Sequence, residues 1–122
     1  MLTLSHTTRS YPRLPYQKIK DEALGKRYQL SLVFVGEGKA REINQTTRNK
    51  TYTPNVLSFP LSKNSGEIFI SPSVAKREAR KFGHSYNRHV AFLFIHGLLH
   101  LKGLDHGKKM ESLEQKYLKR FG

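Results

Sequence analysis

Residues 86–106 read YNRHVAFLFIHGLLHLKGLDH, and from Tyr86 to Lys102 apolar residues fall almost all the way round a helical projection. A helix that is apolar on every side is stable only where other elements cover it, so the segment predicts a buried central helix. Ser85 offers an N-cap before it, and Gly103 ends it with a left-handed turn that glycine adopts at least cost. Its longest uninterrupted apolar run, Val90 to Ile95, falls far short of the roughly 18–20 residues that cross a bilayer.

The same segment carries the chemistry. His96 and His100 lie four apart, so on a helix their side chains rise from one face a turn apart and can converge on one ion. Gly103 lets the chain double back, and His106 follows three residues later. Three imidazoles in that order suit a tetrahedral site with its fourth position open, the pattern of catalytic zinc rather than structural zinc. Two unligated imidazoles in so apolar a helix would each need a hydrogen-bond partner of their own. The spacing matches that of the metzincin proteases, but Gly97 stands where their general-base Glu belongs, which disfavours a peptidase. Asp105, beside His106, is a candidate to orient an imidazole N–H or, equally, to cap the turn after Gly103. His6, His84 and His89 lack a partner pattern and stay unassigned.

Outward from this helix, Tyr28–Val35 reads as a central strand, preceded by a short helix over Tyr16–Arg27. His6 to Lys20 carries Arg9, Arg13, Lys18 and Lys20 with no acid and two prolines, an irregular start. Lys39–Arg48 predicts a helix with Ala40, Ile43 and Thr47 on one face, and Asn49–Asn55 a loop. Val56–Phe59 and Glu67–Ile70 flank the turn signal Lys63-Asn64-Ser65-Gly66 and predict a hairpin at a sheet edge. Ser71-Pro72 opens a helix that Gly83 stops after Phe82, and Gly107–Phe121 reads as a final exposed helix with Leu113, Tyr117, Leu118 and Phe121 facing inward. Residues 1–122 are thus expected to form one α+β domain. Its sheet is small, mostly parallel and of about four strands with an edge hairpin, and helices pack against it.

Lys and Arg number 22 against 9 Asp and Glu, a formal net charge of +13, and there is no cysteine. Disulfides and thiolate-held metals are therefore excluded, and with no leader-like start the expectation is a cytoplasmic protein. The positive field favours polyanions, nucleic acid or the ribosome before anionic membrane surfaces, and no membrane-spanning role is expected. The charge is unevenly placed, because Ile43 to Gly66 contains no acid.

HGLLHLKGLDH resembles the signature H-G-x-L-H-L-x-G-Y-D-H of the YbeY family of metal-dependent endoribonucleases, which mature bacterial ribosomal RNA. Upstream, Glu42-Ile43-Asn44 with Arg48, then Thr53-Pro54-Asn55-Val56-Leu57-Ser58-Phe59-Pro60, then Gly66-Glu67-Ile68-Phe69-Ile70-Ser71, are similar to further blocks of that family in the same order. The departures are Leu104 for an aromatic, Glu67 for Asp, and Thr53-Pro54 in reversed order. The resemblance implies one zinc ion (Zn2+) on His96, His100 and His106 and a functional arginine at Arg48 beside the cleft. It implies hydrolysis of phosphodiesters in single-stranded regions of ribosomal RNA, with the ribosome or small-subunit proteins as partners. Arg48 suits stabilisation of phosphodiester charge, since its planar fork holds two phosphate oxygens; water and the RNA's own 2′-hydroxyl are both candidate nucleophiles. Lys50, Lys63, Arg77, Arg80 and Arg88 are candidates for an RNA track. A non-catalytic RNA or ribosome assembly factor with a structural zinc is the alternative.

Overall fold

In a computed structural model describing residues 1–8 and 10–122, the chain winds around the helix that the apolar pattern marks. Arg9, part of the basic start, lies outside the described residues. The elements are β1 (Leu2–His6), α1 (Tyr16–Leu24), β2 (Gln29–Phe34), α2 (Glu37–Arg48), β3 (Val56–Ser62), β4 (Ser65–Ile70), α3 (Pro72–Phe82), α4 (Tyr86–Leu101) and α5 (Lys108–Phe121). No helix of the described residues is long and apolar enough to cross a membrane.

The sheet runs β1-β2-β4-β3, with β2 parallel to both neighbours and β3 antiparallel to β4. The expected mostly parallel sheet with an edge hairpin is therefore what forms, and β2 is internal. Leu30, Leu32 and Phe34 of β2 alternate with half-buried Ser31 and Val33, and Ile68 and Ile70 of β4 repeat the pattern. The period of two turns all five large side chains to the helical face. There they join Ile19 and Ala23 of α1 and Val90, Leu93, Phe94, Ile95, Leu98 and Leu99 of α4 in one core. Full burial of each large side chain contributes about 1.5–3 kcal/mol, so α4 is the main organising element.

Local signals end the elements. Ser85 Oγ accepts from the Arg88 backbone N–H at the start of α4, and Gly103, at φ +98°, turns the chain out of it. α1 stops at Leu24 rather than Arg27 because Gly25 takes φ +94°, a value that L side chains rarely adopt. β1, which sequence alone does not locate, is a five-residue edge strand with three exposed positions. The inner face of α2 is Ala40 and Asn44, with Ile43 half-buried and Thr47 exposed; Thr47 Oγ1 instead donates to Ile43 O at 2.5 Å. In α5 Leu118 is buried as expected and Leu113, Tyr117 and Phe121 are half-buried, while Met110 and Glu114 also turn inward.

Candidate metal centre

α4 lies against β4 so closely that a Cβ on Gly97 would stand 3.1 Å from Ile68 Cδ1. Gly97 faces the sheet, His96 and His100 rise from α4 into the cleft beside it, and the loop after Gly103 returns His106 to the same point. One ligand atom from each of the three rings lies within 4.8 Å of the others. His96 Nε2 and His100 Nε2 are 3.1 Å apart, near the roughly 3.4 Å that separates two nitrogens about 2.0–2.1 Å from one tetrahedral ion.

Hydrogen bonds at the far side of two rings fix which nitrogen is free. His96 Nδ1 is 2.5 Å from Glu114 Oε2, and His100 Nδ1 is 3.2 Å from Leu104 O. A carboxylate and a carbonyl only accept, so both rings donate from Nδ1, and in the neutral form both Nε2 atoms carry bare lone pairs. Two lone pairs aimed at each other across 3.1 Å repel unless a cation lies between them. The donor set thus fits a divalent metal that imidazole favours. Burial, reinforced by the neighbouring His96 and His106, holds the His100 pKa below the ordinary histidine value and keeps the ring in its coordinating, neutral form.

Glu114 is the residue that sequence reading missed. It comes from α5, 18 positions after its partner, and is buried against α4. Asp105, by contrast, is exposed, and the bonds to the His96 and His100 rings come from Glu114 and Leu104 instead.

The three histidines stand in the wall of a cleft of about 490 Å³ whose other lining includes Arg48, Tyr52, Asn55, Val56, Ser58 and Phe92. α2 and its following loop position Arg48. Buried Asn44 donates from Nδ2 to Tyr52 O at 3.0 Å, Arg41 Nε donates to Thr53 Oγ1 at 2.9 Å, and Asn49 closes the helix at φ 56°. Arg48 Nη1 donates to Asn44 Oδ1 at 3.2 Å and to Tyr52 Oη at 3.1 Å. Among the described residues Nε and Nη2 of Arg48 donate to nothing, so one edge of the fork is held and the other is free. Asn55 fixes the start of β3, donating from Nδ2 to Glu78 Oε1 at 3.0 Å and accepting from Val56 N at 2.6 Å.

The basic candidates divide. Lys50 is exposed two residues beyond Arg48, and Arg88 is half-buried near the start of α4. Arg80 lies with Ser73, Lys76 and Arg77 on the outer face of α3. Arg77 is engaged: it donates to both carboxylate oxygens of Glu37, at 2.5 and 2.9 Å, and ties α3 to the start of α2. Lys63 sits in the β3–β4 turn beside Asp21, Glu22 and Lys102, at the end of β3 opposite the cleft. Of the unassigned histidines, His89 is fully buried, with Nε2 3.2 Å from Glu78 Oε1 and Nδ1 3.1 Å from His84 Nδ1.

The family model of the endoribonuclease YbeY matches residues 6–122. The endoribonuclease YbeY of Staphylococcus carnosus is 36% identical over 110 residues, covering 80% of this chain and 69% of that protein. That of Mycoplasma capricolum is 43% identical over 89 residues, 64% of this chain and 54% of the relative, so the chain spans about half the length of that relative. The solution structure of a Thermotoga maritima protein superposes with a TM-score of 0.71 at 28% identity, covering 98% of this chain and 87% of the other. By its match to the family model and to these relatives, the chain belongs to the endoribonuclease YbeY family.

Proposed function

We propose that residues 1–122 act as one zinc-dependent endoribonuclease domain that hydrolyses phosphodiesters in single-stranded regions of ribosomal RNA during its maturation. The relatives' name supports the activity. The observation that carries the reading is the pairing, across one cleft, of three convergent imidazoles with an arginine whose Nε and Nη2 donate to no acceptor among the described residues. His96, His100 and His106 would hold the ion, which when bound supplies Lewis acidity toward an oxygen of the phosphodiester or of water.

The chain's own groups do the rest. Glu114 holds the Nδ1 proton of His96 and keeps Nε2 directed into the site. Arg48, braced by Asn44 and Tyr52, presents Nε and Nη2 to two non-bridging phosphate oxygens and stabilises the charge that grows as the phosphorus becomes five-coordinate. The site opens on a cleft with His106 exposed, whereas structural zinc sites are closed by four protein ligands, which favours catalysis over a purely structural ion. The basic surface suits a cytoplasmic protein that meets RNA and ribosomal particles.

The test uses a labelled RNA with one single-stranded and one duplex segment. The purified chain is expected to cut only the single-stranded segment, to stop when a chelator is added and to resume when zinc is restored. Cutting that persists in excess chelator would overturn the reading.

A further inference from the structure

Phe82, at the end of α3, is 56% exposed although it is one of the largest apolar side chains in the protein. Its ring rests on others: 5.9 Å from His84 at an interplanar angle of 27°, 5.0 Å from His89 and 6.1 Å from Phe92. Phe92, half-buried, lines the cleft, and its centroid is 6.2 Å from that of His96. The rings of Phe82, Phe92 and His96 therefore make a continuous aromatic surface that leaves the metal centre along the outer face of α4.

This surface is built rather than incidental. Beneath it His89 is fully buried and held on both sides, by Glu78 and by His84. Glu78 in turn accepts both contacts from Asn55 Nδ2, at 3.0 and 3.3 Å, so the platform is tied to the cleft wall through one chain of hydrogen bonds. Glu78, the acid beneath it, is thereby occupied. Cations flank it: Lys81 precedes Phe82, and Arg88 lies one helical turn before Phe92 on the same face of α4. Neither belongs to an ion pair among the described residues.

We propose that Phe82 and Phe92, edged by His84, form a stacking subsite for an unpaired nucleobase next to the phosphodiester held at His96, His100 and His106. An exposed aromatic platform bordered by cations is what a single strand recognises without regard to sequence, because every base presents a π-face while Lys81 and Arg88 meet the backbone. A duplex, whose bases are already stacked, cannot use it. The inference rests on the endoribonuclease reading and supplies a physical basis for its preference for single strands.

The test measures binding by fluorescence anisotropy, with a labelled 2′-O-methyl oligoadenylate and the same strand made of abasic units. Wild type is expected to bind the base-bearing strand about tenfold or more tighter than the abasic one. Phe82→Ala should lose most of that preference while binding the abasic strand as wild type does, and Phe82→Tyr should keep it. Because Phe82 is largely exposed, its truncation leaves the core intact. Equal affinity of wild type and Phe82→Ala for the base-bearing strand overturns the subsite, whatever the cleavage assay shows. A preference for bases that Phe82→Ala loses, in a wild-type protein that cuts no unmodified single-stranded RNA, would support the subsite and overturn the nuclease reading instead.

Discussion

Glu114 sets how well the three histidines would serve as ligands under the proposed function. Its carboxylate fixes the tautomer of His96, and orienting partners of this kind are worth about 10–100-fold in metal affinity. Glu114→Ala is expected to weaken zinc binding by about that factor, and Glu114→Gln, which keeps an acceptor oxygen, by less; competition with a chromogenic chelator measures both. Equal affinities in all three proteins would remove Glu114 from the site. The histidines were legible in the sequence because a helix makes i and i+4 neighbours and Gly103 marks the turn, so their convergence is a local matter. Glu114 was not legible, since an acid in a basic amphipathic helix reads as solvated until the packing of α5 on α4 is known. Asp105 illustrates the converse, for adjacency to a ligand in sequence does not bring its carboxylate to either of the bonded rings.

Two elements are locked by contacts whose effects can be separated. Glu37, at the start of α2, has its pKa lowered from 4.5 to about 2 by hydrogen bonds from Arg77 and Ser73 of α3. A carboxylate with a depressed folded-state pKa stabilises the fold above its unfolded value and loses that contribution as pH falls through the folded one. Glu37→Gln should therefore lower the urea midpoint relative to wild type at pH 7, and the gap should close between about pH 4.5 and 2; a gap independent of pH would contradict the pairing. Gly97 locks α4 to β4. Gly97→Glu, which restores the metzincin residue, should create no peptidase and should destabilise the protein by about 1–3 kcal/mol in denaturant unfolding, because the new side chain starts against Ile68. An unchanged midpoint would show that α4 can shift. Helix ends marked by Ser85, Gly83 and Gly103 were readable because caps act within a few residues. β1 was not, because a short edge strand is defined by its pairing with β2 rather than by its own five residues.

At the scale of the molecule, the charge of +13 becomes a directed field only once the chain is folded. The acid-free stretch Ile43–Gly66 was visible beforehand, and it does form the wall that carries Arg48. Which cations face the cleft was not visible, because Arg77 meets Glu37 across 40 residues and Lys63 lies at the opposite end of β3. Affinity for a single-stranded oligonucleotide is expected to fall roughly tenfold or more between about 50 and 200 mM salt, as titration at several ionic strengths would show. A flat response would make the charge a solvated surface. The central claim is that one metal on three histidines and one arginine across the cleft act together on RNA. It is tested most directly by measuring metal content and single-stranded RNA cleavage in the same preparations of wild type, Arg48→Ala and His100→Ala. Wild type should carry about one divalent ion per chain and cleave. Arg48→Ala should keep the ion and lose about 100-fold or more in kcat, and His100→Ala should lose both ion and cleavage. Cleavage that survives undiminished in both variants, or a wild type that cleaves while holding no metal, would contradict it.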